Sequence, residues 1–139
     1  MSQTYATHRR FDPLYHYVAF ALWMLALAMD VRSLWLRHGG LLHLVVLFLL
    51  LIVMLKVRIY ALRVQDRVIR LEETLRMKAI LPAEMQGEIQ RLKPNQFVGL
   101  RFASDGELAA RVAEALKEDL GGEAIKKRIQ TWRPDEFRV

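Results

Sequence analysis

Cysteine is absent from the chain, which excludes disulfide frameworks, thiolate metal sites and cysteine nucleophiles. The absence fits either side of a membrane. Histidine is scarce: His8, His16, His38 and His43 all flank or lie within apolar stretches, and none has metal-ligand spacing. His16 as a haem or metal ligand is the weaker reading, and an interfacial structural histidine is the favoured one. Ser2, Ser33 and Ser104 carry no nucleophile motif, and no glycine-rich phosphate loop occurs. No strand-like alternation, repeat or low-complexity tract is present. The sequence therefore offers no catalytic, cofactor-binding or metal-binding set. A non-enzymatic protein is expected, with an enzyme the least favoured alternative.

What the chain does have is long apolar runs. Val18 to Met29 and Leu41 to Leu55 are almost wholly apolar, whereas Lys56 to Val139 reads as an ordinary charged chain. The net charge of +6 is unevenly spread. Residues 1–40 hold four Lys/Arg against two Asp/Glu, residues 41–55 hold none, residues 56–78 hold seven against three, and residues 79–139 are balanced at ten each. A nucleic-acid-binding domain concentrates cations where it grips phosphate. Here the excess lies beside the apolar runs, where cytoplasmic flanks of membrane helices carry it, so no nucleic-acid partner is expected.

Leu41 to Leu55 is fifteen residues interrupted only by His43. As a helix it covers roughly 22 Å, and Val57 to Tyr60, with Lys56 snorkelling, extend it to the ~20 residues a span needs. A buried core helix is the alternative, disfavoured because the run is apolar on every face and the chain is too short to cover it. The earlier run opens with Asp12 as N-cap and Pro13 at the first helical position. Tyr15, His16 and Tyr17 suit an interfacial belt, with Trp35 an anchor at the other interface. Arg37, His38, Gly39 and Gly40 suit a turn between two spans. His8, Arg9, Arg10 and Ala26-Leu27-Ala28 also resemble a cleavable signal peptide, but helical apolar sequence resumes after Asp30. The lipid bilayer is thus the first expected partner. Seven cations flanking the two runs on the outer sides, against Arg32 and Arg37 between them, predict both termini in the cytoplasm.

Asp30 is the candidate intramembrane polar contact, because an ionisable group inside a span is expensive. The simpler reading is that helix 1 ends near it, or that it reaches water or Arg32.

Beyond Leu55 nothing breaks the helix before Pro82. Val57, Ala61, Val64, Val68, Leu71 and Leu75 recur at 4-3 spacing and mark a candidate partner or oligomer face. That stripe admits two uses: a face on which later helices pack, or a seam with another copy, weak alone at about three heptads. Asp66 to Arg70 and Glu72 to Arg76 are available as i,i+4 ion pairs. Short helices are predicted from Pro82 (Met85, Ile89, Leu92) and from Pro94 (Phe97, Val98, Leu100, Phe102). Another opens at a Ser104–Glu107 capping box and carries Leu108, Val112, Leu116 and Leu120 until Gly121-Gly122 stops it. A last one carries Ile125, Ile129 and Trp132, ends at Pro134, and leaves a tail containing Phe137.

Two clusters suggest binding. Lys126, Lys127, Arg128 and Trp132 are a candidate lipid or partner contact, against the plainer reading of an amphipathic helix whose apolar side faces a core. Phe97 to Phe102 is a core segment or a partner groove.

Several stretches together resemble an uncharacterised family of short bacterial proteins with two membrane helices. They are Tyr5 with His8-Arg9-Arg10-Phe11-Asp12-Pro13-Leu14-Tyr15-His16, Val64 to Glu73, Leu100 to Asp105, and Ile125 to Asp135. The resemblance implies the architecture and a bacterial origin, and transfers no site residue; with the cation flanks, the expected location is the bacterial cytoplasmic membrane.

The expected fold is all-α. A two-helix transmembrane hairpin and its flank occupy 1–55, an amphipathic stalk 56–80, and a small helical cytosolic domain 81–139. The expected role is a membrane anchor, scaffold or accessory subunit with a protein partner or a homo-oligomer. A membrane-surface protein reading anionic lipid is the alternative. A transporter is disfavoured, since two helices form a pathway only by oligomerising.

Overall fold

The computed structural model describes residues 4–5, 12–36 and 41–135. Expectations that rested on His8, Arg9, Arg10, residues 37–40 and Phe137 lie outside these. Among the described residues every regular element is helical. The one β-type pairing is a single antiparallel bridge between Ala103 and Trp132. The chain divides into two compact units, Arg10–Leu62 and Met1–Arg9 with Arg63–Val139. The division falls inside one helix, α2 (Leu41–Ile80, 40 residues), whose continuity follows from the lack of any helix breaker before Pro82.

In the first unit a wide π-type turn, Leu14–Ala19, leads into α1 (Phe20–Trp35). Asp12 opens it as expected: its Oδ1 accepts from the backbone amides of Leu14 and Tyr15 at 3.0 and 3.3 Å. The Leu14–Trp35 stretch and α2 are both long and apolar enough to cross a membrane. In their apolar stretches almost no residue is buried among the described residues: Leu14, Leu42 and Phe48 are largely exposed, as is Trp35. Three polar contacts join the two within this unit. Tyr15 Oη donates to the Met54 carbonyl at 2.9 Å, Trp23 Nε1 donates to the Leu47 carbonyl at 2.9 Å, and Asp30 Oδ1 lies 3.9 Å from His43 Nδ1. A carbonyl has a second lone pair beyond its helical bond. The two aromatic donors therefore find partners without breaking α2.

In the second unit Leu81 and Pro82 end α2. A 3-10 helix (Ala83–Arg91), α3 (Pro94–Leu100), α4 (Asp105–Lys117) and α5 (Gly122–Arg128) then fold over its last turns. The core joins Met77 and Leu81 of the α2 end to Ile89, Leu92, Phe97, Leu100, Phe102, Leu108, Val112, Ile125 and Ile129. The spacing of Leu108 and Val112 correctly marks the inner face of α4. Ala115 completes that face, while Leu116 and Leu120 are only partly buried against it. Gln96 supplies the polar order. Its Oε1 accepts the Lys93 amide at 2.8 Å, and its Nε2 donates to the carbonyls of Ala115 and Leu120 at 3.1 and 3.0 Å. A fully buried amide is thereby satisfied on both ends.

Three local expectations change. Ser104 stands at the N-cap of α4 but makes no side-chain cap bond. Glu107 does not reach back to it; its carboxylate accepts the amides of Gln130 and Thr131 at 3.2 and 3.0 Å. A strongly acidic acceptor went to two otherwise unpaired amides of an extended segment rather than to one at its own helix start. Secondly, α4 ends before the glycines. Asp119 takes a left-handed φ of 49°, and the Leu120 amide closes on the Ala115 carbonyl at 3.0 Å, the Schellman arrangement. Asp119 is held by Lys93 Nζ at 2.6 Å. Thirdly, α5 stops at Arg128, not Pro134. Ile129 is extended, and the strand-like run behind it is pinned by Ser104 N to Thr131 O (3.1 Å) and Arg133 N to Phe102 O (2.8 Å).

Gly99 and Gly122 let α3 and α5 touch. A Cβ on Gly122 would sit 2.4 Å from the Asn95 carbonyl oxygen, and one on Gly99 would sit 2.8 Å from the Gly122 carbonyl oxygen. Backbone cannot yield as a side-chain tip can. Gly122→Ala is expected to destabilise the second unit by about 1–3 kcal/mol, read as a lowered thermal midpoint of the full chain. An unchanged midpoint would mean that the two helices separate at no cost.

Candidate functional site

The second unit holds a cavity of ≈ 510 Å³ lined by Ile69, Glu72, Glu73, Arg76, Arg101, Arg133, Pro134 and Asp135. Its floor is an ion-pair network built on one face of α2. Glu73 is buried and receives Arg76 Nη1 at 2.9 Å and Arg133 Nη1 at 3.1 Å. Arg76 extends its fork to Asp105 Oδ1, at 2.9 Å from Nε and 2.6 Å from Nη2, and Nη2 also donates to the Ala103 carbonyl at 2.6 Å. Arg101, buried, lies with Nε 3.2 Å from Asp135 Oδ2 and with its guanidinium over the Phe102 ring at 4.6 Å. The planar guanidinium fork allows one residue, Arg76, to tie α2 to the 103–105 stretch that opens α4. Three guanidinium groups and three carboxylates thus face one hollow, and most of that charge is matched within it. The arrangement suits recognition of a polar or charged segment by exchange of ion-pair partners. No Ser, Thr, Lys, His or Tyr stands among the lining residues. Among the described residues no group of three or more His, Asp or Glu gathers as a metal cluster would.

The network replaces an expectation. Glu72 to Arg76 is the pair the helical spacing suggests, but Arg76 turns to Glu73 and Asp105. Arg70 stacks over the Phe97 ring at 5.9 Å. The signal available in the sequence was Ile69, Glu73 and Met77 at i, i+4, i+8: an acid in the middle of an apolar row, which has to find a cation when that row is buried.

The other expected site residues lie as follows. The Lys126-Lys127-Arg128 run does not form one surface patch. Lys126 is buried, with Nζ 2.8 Å from Glu123 and 5.8 Å from the Phe102 ring centroid. Arg128 is bound by Glu114 and by Glu118 at 2.8 Å. Its hydrogen bond holds the Glu118 carboxyl below the usual carboxylate range. Lys127 is exposed, with Nζ 5.8 Å from the Tyr5 ring centroid. Trp132 packs on Phe102 with ring centroids 5.0 Å apart. Phe97 to Phe102 is core: Phe97, Leu100 and Phe102 are all buried. Asp30 approaches His43 as described. Along α2, Val57, Val64, Val68, Leu71 and Leu75 remain exposed and Ala61 is half-covered. Among the described residues, the later helices pack instead on the row of Ile69, Glu73 and Met77.

Fold and site together define an all-helical protein carrying two helices long and apolar enough to span a bilayer and a small, ion-latched helical unit. The chain belongs to the Family of unknown function (DUF6526), whose model matches residues 1–139. No curated protein and no solved structure matches it.

Proposed function

We infer that the protein is a non-enzymatic anchor or accessory subunit of the bacterial cytoplasmic membrane, presenting its C-terminal helical unit to a protein partner. The observation that carries this reading is the exposure of both apolar helices. In the apolar window of each, the described residues leave nearly every side chain unburied, and water tolerates contiguous apolar area of that extent poorly. The contacts Tyr15–Met54, Trp23–Leu47 and Asp30–His43 run in opposite chain directions, which supports a transmembrane hairpin. The aromatic donors find acceptors as a lipid environment requires. The cation distribution supports cytoplasmic termini.

The soluble unit is too small to be comfortable alone, and its hollow of matched charges suits a protein contact. Lys126 and Arg128 are engaged inside the unit, which favours a protein-facing over a lipid-facing module. Purification in mild detergent, with mass spectrometry and mass determination of the particle, is the test. A stoichiometric companion, another copy or a different polypeptide, is expected. A lone monomer, or a chain that disperses without detergent, would overturn the reading.

A further inference from the structure

We propose that the exposed apolar stripe of α2 is the seam of a parallel, in-register pair with a second copy of this chain. The proposal rests on the membrane-anchor reading for the orientation of the two copies. On one side of the helix Ile69, Glu73 and Met77 are buried by the chain's own helices. At 100° per residue, Val64, Val68, Leu71 and Leu75 lie about half a turn away. They are 61%, 46%, 62% and 61% exposed. None of the described residues of the second unit covers them.

Their spacing, 4-3-4, is that of a two-stranded seam, with Val68 and Leu75 at one repeat position and Val64 and Leu71 at the other. The same register continues upstream through Val57 and Ala61. It leaves the buried row on the outside of such a pair, so the packed C-terminal helices do not obstruct it.

Charge selects the occupant. In this register Arg67 and Glu72 flank the stripe on opposite sides, both exposed. In a parallel, in-register pair the residue before one seam position faces the residue five places on in the other helix. Arg67 of each copy then meets Glu72 of the other, twice by symmetry. The remaining flanking positions, Tyr60 against Gln65 and Thr74 against Ala79, bring no like charges together. Two copies anchored in one membrane with the same topology are held parallel, and anchoring raises their effective concentration. That offsets the weakness of a seam only about three heptads long.

The native chain lacks cysteine, so single-cysteine variants of the full chain can be oxidised in isolated membranes and read on a non-reducing gel. Val64→Cys, Val68→Cys, Leu71→Cys and Leu75→Cys are expected to give disulfide-linked dimers. Asp66→Cys and Arg70→Cys, on other faces, are expected to give few. Equal residue numbers meet only when the helices are parallel and in register. Arg67→Glu in the Leu71→Cys background is expected to lower the dimer yield about fourfold, since two exposed ion pairs are lost at about twofold each. Mixing Arg67→Glu chains with Glu72→Arg chains is expected to restore it.

A flat profile, no dimer, or cross-links to a different polypeptide would overturn the proposal. So would an Arg67→Glu effect that mixing fails to rescue. Alkaline extraction of the same membranes separates this from the anchor reading. A chain that stays in the membrane but shows no seam profile refutes the pair alone. A chain that washes off refutes the anchor.

Discussion

Phe102→Ala is expected to leave the C-terminal unit largely unfolded at 37 °C while α1 and the apolar first half of α2 persist. Phe102 is fully buried where three parts of the unit meet. Its ring packs on Trp132 at 5.0 Å, beneath the Arg101 guanidinium at 4.6 Å and the Lys126 ammonium at 5.8 Å. Its carbonyl receives the Arg133 amide at 2.8 Å. Truncating a buried phenylalanine costs about 3–5 kcal/mol through lost transfer energy and the cavity left behind. Two nearby cations would also lose the aromatic face that offsets their desolvation. A core of this size seldom contributes more than about 3–5 kcal/mol of net stability, so the substitution removes most of the margin. Hydrogen exchange of the full chain in detergent is the measurement. Peptides from α3 and α4 should lose protection, and those from α1 should not. Gln90→Ala, on an exposed position, should shift exchange by no more than about 0.5 kcal/mol. Protection retained in Phe102→Ala would show that Phe102 is not central to the core.

Much of this architecture was legible because it is local. A forty-residue helix follows from an absence of breakers, and the α3 start from Pro94. The inner face of α4 follows from Leu108 and Val112. Asp12 capping the first helix is a two-residue signal, and it held. The readings that changed share a cause: a side chain with two possible partners took the distant one. Glu107 left its own helix start for amides 23 and 24 residues away, and Arg76 left the i−4 carboxylate for Glu73 and Asp105. The end of α4 turned on Asp119 accepting a left-handed φ beside Lys93, where glycines two residues on looked the obvious stop. Ile129 and Trp132 do face the core, but along an extended run pinned to residues 102–104, so the helical spacing there was a coincidence of burial. Local periodicity says which side of an element is inside. It does not say which of several polar acceptors wins once the chain is folded. For the same reason the hollow beside α2 was not visible in advance: its lining comes from residues up to 66 positions apart, brought together only by packing.

Arg76 carries the second large effect. Its side chain is 10% exposed and that of Glu73 6%, so the pair is held together largely away from water. Arg76→Ala removes Glu73's closest partner, leaves the Ala103 carbonyl without that donor, and cuts the tie from α2 to the start of α4. Stranding a buried charge typically costs about 3–5 kcal/mol. The half-exposed Arg133, 3.1 Å from Glu73, recovers part of that, so a loss of about 3 kcal/mol is expected. Arg76→Lys keeps the charge but has no fork, and cannot reach Glu73, Asp105 and Ala103 together; it should lie between alanine and wild type. Glu73→Leu with Arg76→Met tests the mechanism. Removing both charges leaves no stranded ion, so the double variant should be more stable than Arg76→Ala, as replacement of buried ion pairs by apolar groups often is. Thermal unfolding of the four proteins in the same detergent ranks them. If Arg76→Lys matches wild type, the guanidinium geometry is irrelevant. If the double variant is as unstable as Arg76→Ala, the loss comes from packing, and the network is not what latches the C-terminal segment to α2.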